Sequence, residues 1–158
     1  MGHTTADQAW REYGCGGRGW GGRTLYGNIE VMRTLLEYGA NVGAEDKEGR
    51  TPLHQATSNW SVESGPMCML LEHGADVNAR TIDSSTLLLA TVKYENIEVV
   101  RALLDIDANV AAENEEGRSP LHQATSSGST ELVRTLLLEH GADINAQTKD
   151  SSTPLLMR

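Results

Sequence analysis

Apolar pairs recur along this chain at helical spacing, with polar turns between them. Val31, Met32, Leu35 and Leu36 stand at i, i+1, i+4 and i+5, and so do Val99, Val100, Leu103 and Leu104. That spacing lays a stripe along one face of an α-helix. Gly39, Gly74 and Gly141 follow such stripes, where a helix ends most readily through a left-handed residue. Next come Asn41-Val42, Asp76-Val77-Asn78 and Asp143-Ile144-Asn145, then a polar turn, and the cycle restarts. A first, shorter helix is predicted to open at Thr51-Pro52-Leu53-His54. Thr51 suits the N-cap, and Pro52 suits the first helical position, where no amide donor is needed. Each unit thus reads as two short helices. Neither buries its stripe alone; stacking on neighbours does.

The units are copies of one another. Residues 28–46 reappear at 96–114 and residues 49–58 at 117–126, both 68 positions on. The stretch from Leu70, LLEHGADVNARTIDSST, returns from Leu137 as LLEHGADINAQTKDSST, an offset of 67. Thr51, Thr86, Ser119 and Thr153 share one phase, 35, 33 and 34 residues apart. The chain therefore alternates two kinds of unit, as duplication of a pair would produce.

Composition agrees with a stack of small units. Hydrophobic residues make up 39% of the 158, and Phe is absent, whereas one globular core of this size would want more large aromatics. A net charge of −9 repels phosphate backbones and anionic lipid heads, which argues against nucleic acid or a membrane surface as partner. No apolar run reaches the length of a bilayer span, and the N-terminus has no signal-peptide core. The expected location is intracellular, cytoplasmic or nuclear. Cys15 and Cys68 belong to no metal-ligand spacing. Cys68, inside Met67-Cys68-Met69-Leu70-Leu71, is expected to be a buried thiol acting as a small hydrophobe.

Asp46-Lys47-Glu48-Gly49, Thr51-Pro52-Leu53-His54, Gly27-Asn28-Ile29-Glu30-Val31 and Gly74-Ala75-Asp76-Val77-Asn78-Ala79, with second copies at Ser119-Pro120-Leu121-His122 and residues 141–146, resemble the ankyrin repeat family. The resemblance covers residues 25–158. It implies an all-α fold, an α-solenoid of helix–turn–helix repeats with β-turn fingers. Fingers and first helices would form the concave face, and second helices the convex one. The expected organisation is a Gly-rich, disordered tail over 1–24, a partial repeat over 25–45, full repeats over 46–80, 81–113 and 114–147, and a partial repeat over 148–158.

Several places depart from the pattern. The leading repeat's first helix should lie near residues 18–26, where the glycines of Arg18-Gly19-Trp20-Gly21-Gly22 oppose it by about 1 kcal/mol each. The middle unit reads Thr86-Leu87-Leu88-Leu89, without proline or histidine, and Asp107 stands where glycine should end a helix. Two extra residues near Ser64-Gly65-Pro66 should shorten the following helix and bulge the convex side. One leucine too many sits in Leu136-Leu137-Leu138.

No catalytic constellation emerges, and no cofactor, metal or small-molecule substrate is implied. The chain reads as a protein-binding scaffold and not an enzyme. His54 and His122 occupy a position that the resemblance makes structural, bonding their own Thr or Ser and neighbouring backbone. Glu113, Glu115 and Glu116 read as solvated turn residues. Carried over by position, the family's partner-facing residues are Arg50, Ile82, Asp83, Glu116 and Arg118 in the fingers, with Asn59, Trp60, Lys93 and Tyr94 on or after the first helices. Tyr94, Ile82 and Lys93 stand out, because aromatic and apolar groups on a small polar surface concentrate binding energy. Two further readings stay open. The chain could serve as the regulatory or targeting segment of a larger enzyme or channel. It could also be the substrate of an asparagine hydroxylase, at Asn78 or Asn145.

Overall fold

A computed structural model describes residues 26–58 and 65–157, and the chain divides into two compact units, Met1–Val77 and Asn78–Arg158. The predicted tail over 1–24 lies outside the described residues. In the first unit α1 spans Tyr26–Glu37, α2 Pro52–Ser58 and α3 Gly65–Glu72. In the second, α4 spans Leu87–Lys93, α5 Ile97–Asp105, α6 Pro120–Ser127 and α7 Thr130–Arg134. A π-turn, Thr135–Glu139, extends α7, and a 3-10 turn covers Pro154–Leu156. An isolated antiparallel bridge, Arg80 to Thr86, is the one β feature among the described residues. The architecture is the all-α repeat that the stripes predict.

The first helices start as their sequence dictates. Thr86 caps α4, its hydroxyl accepting the Leu89 amide at 3.4 Å. Pro52 and Pro120 sit at the first helical position of α2 and α6. The second helices close on a left-handed residue. Gly39 and Gly74 have φ of 85° and 86°; the amides of Gly39 and Ala40 go back to the Leu36 and Leu35 carbonyls, and those of Gly74 and Ala75 to Leu71 and Leu70. Asp107 does the same work at φ 65°; its amide reaches the Leu104 carbonyl at 3.2 Å, and that of Ala108 reaches Leu103 at 2.9 Å.

The extra leucine has a defined fate. In the other repeats the closing amide returns five residues, as Ala108 does to Leu103; here the Ala142 amide returns six, to Leu136, at 2.9 Å. The helix takes up the insertion as a π-turn and ejects Leu138 to the surface, while Leu132, Thr135 and Leu136 stay buried. The register of the stripe survives. α3 is described over Gly65–Glu72; its approach, where the insertion and the expected bulge fall, lies in 59–64, outside the described residues.

Packing follows the stripes. In the second unit α4 lies against both α5 and α6, α6 against α7 and its π-turn, and the Pro154 turn against α6. Leu87, Leu88, Val92, Val100, Leu103, Leu121, Leu132 and Leu136 are completely enclosed. In the first unit α1 and α2 each pack on α3, around Leu53 and Leu70. The expectation for Cys68 is corrected. It is buried as predicted but disulfide-bonded, not a thiol, and its bonding partner lies outside the described residues. Periodicity carries no information on sulfur pairing, which is why the stripe did not reveal it.

Left-handed backbone at a residue with a Cβ costs about 1–2 kcal/mol, less for Asp than for most. Asp107→Gly should therefore raise the unfolding free energy by up to about 1 kcal/mol, read as a higher urea midpoint at unchanged slope. A lower midpoint would show that the Asp107 carboxylate contributes more than its backbone costs.

Candidate interaction surface

Two finger chemistries alternate along the chain, matching the duplicated pair. In the first kind one side chain organises the turn: Asp46 Oδ1 accepts the amides of Glu48 and Arg50, both at 2.9 Å. Asn114 Oδ1 does the same for Glu116 and Arg118 at 3.0 Å. Gly49 and Gly117 supply the left-handed residue. In the second kind Ser84 and Ser151 take that conformation, at φ 59° and 64°. A hydroxyl cage replaces the glycine's freedom there. Thr81 and Ser85 both donate to the Asp83 carboxylate, and Thr148 donates to Asp150. These donors, the Thr hydroxyl first, hold both carboxyls below their usual pKa.

Neighbouring fingers of the second unit are tied through backbone. The Glu115 amide donates to Asp83 O at 3.1 Å, and the Lys149 amide to Glu116 O at 3.0 Å. Two side chains add to the ladder. Arg80 donates from Nη1 to Ser84 O at 3.2 Å and Glu113 O at 2.8 Å. Asn78 accepts the Asn109 amide at 2.7 Å and donates to Asp107 O at 3.3 Å. At Gly117 a Cβ would come within 2.9 Å of the Lys149 amide nitrogen, so this close approach requires glycine as much as φ does.

The candidate residues divide by what already engages them. Arg50 bridges Asp46 and Glu48 at 3.0 and 2.9 Å, and Arg118 pairs with Glu116 at 2.9 Å. Asp83 builds its own finger. Asn78 joins one repeat to the next, whereas Asn145 is exposed and uses its amide for the Asp143 turn at 2.8 Å. Ile82 stands exposed on the finger before α4, and Lys93 and Tyr94 are exposed at that helix's far end, Tyr94 by 62%. The length of α4, about 10 Å at the helical rise, separates the two ends. Asn59 and Trp60 lie outside the described residues. Sequence reasoning missed Arg80 and the Thr81-Asp83-Ser85 cage. The recurrence of Thr, Asp and Ser at 148, 150 and 152 was the signal that could have found the cage.

The family model of ankyrin repeats in three copies matches residues 24–81 and 60–148. The chain belongs to the ankyrin repeat family. It is 34% identical over 135 residues to human Rabankyrin-5, covering 82% of this chain and 11% of that protein. It is 39% identical over 136 residues to human ankyrin repeat and SOCS box protein 6, covering 80% and 32%. With mouse neurogenic locus notch homolog protein 1 it shares 31% over 133 residues, 84% of this chain and 5% of that one. The chain thus spans a third or less of each of these relatives. Ankyrin repeats are protein-interaction modules, and among the described residues no helix is long and apolar enough to cross a membrane.

The ankyrin histidines do the structural work that the motif implies. His54 Nδ1 accepts the Thr51 amide at 3.2 Å and lies 2.9 Å from its hydroxyl. His122 repeats this with Ser119 at 3.2 and 2.8 Å, and its Nε2 lies 3.2 Å from Ser152 O of the next repeat. An amide pointing at Nδ1 places the imidazole proton on Nε2, which donates to Ser152. Among the described residues no cluster of three His, Cys, Asp or Glu is placed to hold a metal.

Burial lowers the pKa of His54 below its ordinary value of 6.5, because the charged ring loses water and its Nδ1 could no longer accept. The unfolded chain then takes up the proton first as pH falls. The stability His54 contributes is complete above pH 6.5 and is lost on acidification through the folded value. Melting temperature should therefore drop between neutral pH and the mid-fives more steeply in the parent than in His54→Leu. Leucine is the test because Leu89 fills the same slot, buried, in the next repeat. Equal slopes in parent and variant would remove His54 from the account.

Proposed function

We propose that this chain holds a partner protein on the side formed by its fingers and first helices, with affinity concentrated in the repeat 81–113. The observation that carries this is the exposure of Ile82 and Tyr94 at the two ends of α4, with exposed Lys93 beside the ring. An aromatic ring and a branched aliphatic chain can be buried at small entropic cost, and a single cation on a chain of net charge −9 marks the spot for an acidic group. The flanking first helices present Gln55, Gln123 and Ser126 instead, small polar groups that shape a surface and bury little. Arg50, Asp83, Glu116 and Arg118, engaged within their fingers, would set the surface's form more than its affinity.

Two further readings have their own support. The short share of each relative that the chain spans favours a segment serving a larger protein, to be tested by sequencing the full-length transcript. The exposed turn at Asn145 favours hydroxylation there over Asn78, whose carboxamide joins two repeats. A mass gain of one oxygen at Asn78 and none at Asn145 would reverse that order.

Truncating an aromatic anchor commonly costs about 2 kcal/mol or more, and most other contacts under about 1. Tyr94→Ala should weaken binding of the partner returned by a pull-down far more than Ser126→Ala or Gln123→Ala, at unchanged helical circular dichroism. Calorimetry in which Tyr94→Ala binds like the parent while Arg101→Ala, on a second helix, abolishes binding would place the site on the opposite face.

A further inference from the structure

Resting on the reading of the Tyr94 surface as a protein site, we infer that Glu95 determines its specificity by selecting a partner segment with an arginine or lysine at that point. The turn from α4 to α5 passes through Glu95 at φ 61°, and the turn from α6 to α7 through Gly128 at φ 74°. The two turns are built alike. The Glu95 amide returns to Val92 O and the Gly128 amide to Thr125 O, both at 3.1 Å. Asn96 and Ser129 then cap the helices that follow. Glycine takes this conformation freely, whereas a glutamate there carries a conformational cost. An acid near a helix start can repay such a cost through the helix dipole, but α5 already has Glu98 in its first turn. α7 has Glu131 at the same place and needs only glycine before its cap.

The side chain at this turn faces solvent. A Cβ at Gly128 would meet nothing within 4 Å, and Glu95 is exposed. Among the described residues its carboxylate closes no ion pair, unlike Glu48 and Glu116, which hold Arg50 and Arg118. The change is not isolated either. Lys93-Tyr94-Glu95 stands where the next repeat has Ser126-Ser127-Gly128, so three small residues give way to two charges and a ring. A carboxylate that the turn does not need, next to an exposed ring and close to an exposed cation, makes the surface two-signed. Lys93 suits an acidic group of the partner. Glu95 suits a guanidinium or ammonium, which a chain of net charge −9 attracts from a distance and a carboxylate holds by a charge-assisted hydrogen bond.

Selection of a displayed library of random peptides on the full chain tests this. Peptides retained by the parent should be enriched in arginine or lysine at one position. Glu95→Gln should lose that enrichment and bind the parent's best peptide about tenfold more weakly. Glu139→Gln, which removes the same charge from an exposed place on the π-turn, should keep both. Glu95→Gly should melt higher than the parent, because glycine relieves the turn. A basic preference that survives Glu95→Gln, or that falls equally in Glu139→Gln, overturns the inference. So does a parent that retains no peptide, or a Glu95→Gly variant that melts lower, which would show the carboxylate serving the fold. Tyr94→Ala tells the two levels apart. If it retains the parent's peptides undisturbed, the surface itself is misplaced; if it loses them while Glu95→Gln does not, only the role of Glu95 fails.

Discussion

Each helix pair of this chain has one apolar face that its own partner helix covers and another that only a neighbour can. Leu103 and Leu35 are the same residue of the same motif, and they differ from complete burial to majority exposure. The difference is the presence of α4 on one and no described helix on the other. At about 25 cal/mol per Å² of apolar surface removed from water, an unstacked stripe forfeits most of what holds so short a helix together. Helices of seven to nine residues, which these largely are, lie below the length at which isolated helices persist in water. Their order comes from the stack.

That dependence explains where the chain tolerates change. The inserted leucine in the last full repeat would rotate every later side chain by about 100° in a regular helix, turning Leu136 or the closing turn away from its neighbour. A single π-turn absorbs the rotation within five residues, and the cost appears on the solvent side as Leu138. Likewise the loss of His at position 89 is harmless to burial. Leu89 needs no partner for a ring nitrogen, and the Thr86 hydroxyl still caps the helix. What the stack does not tolerate is bulk where backbones touch, as at Gly117 against Lys149.

The helices, their caps and their order were legible in the sequence because they rest on local rules: stripe spacing, Thr-Pro at the start, a left-handed residue at the end. The Asp107 turn was legible for the same reason. Less legible were features set by contacts about thirty residues apart. Nothing in the neighbourhood of Asn78 announces that its carboxamide spans to residues 107 and 109, nor does Arg80 advertise the Glu113 carbonyl. Of the binding candidates, position in the motif located Ile82, Lys93 and Tyr94 on the surface. It did not distinguish them from Arg50, Asp83, Glu116 and Arg118, since charge composition is blind to whether an ion pair is already closed within its own finger.

Alternation of the two finger types follows from copying a pair and not a single unit, and it has a physical consequence. A glycine finger such as Asp46–Arg50 carries its charge outward as a closed carboxylate–guanidinium pair. A serine finger such as Thr81–Ser85 spends its carboxylate on its own hydroxyls and exposes an apolar tip, Ile82. On the second unit an apolar finger therefore stands beside a charged one, and a partner bound on the proposed surface would meet both. Such a pattern favours burial at one finger and polar registration at the next. The copy at Thr148–Ser152 carries Lys149 where the first has Ile82, so duplication alone did not preserve the apolar tip. Because the cage that holds the turn does not involve the residue at that position, the tip can vary without disturbing the fold, which is the freedom a recognition surface requires.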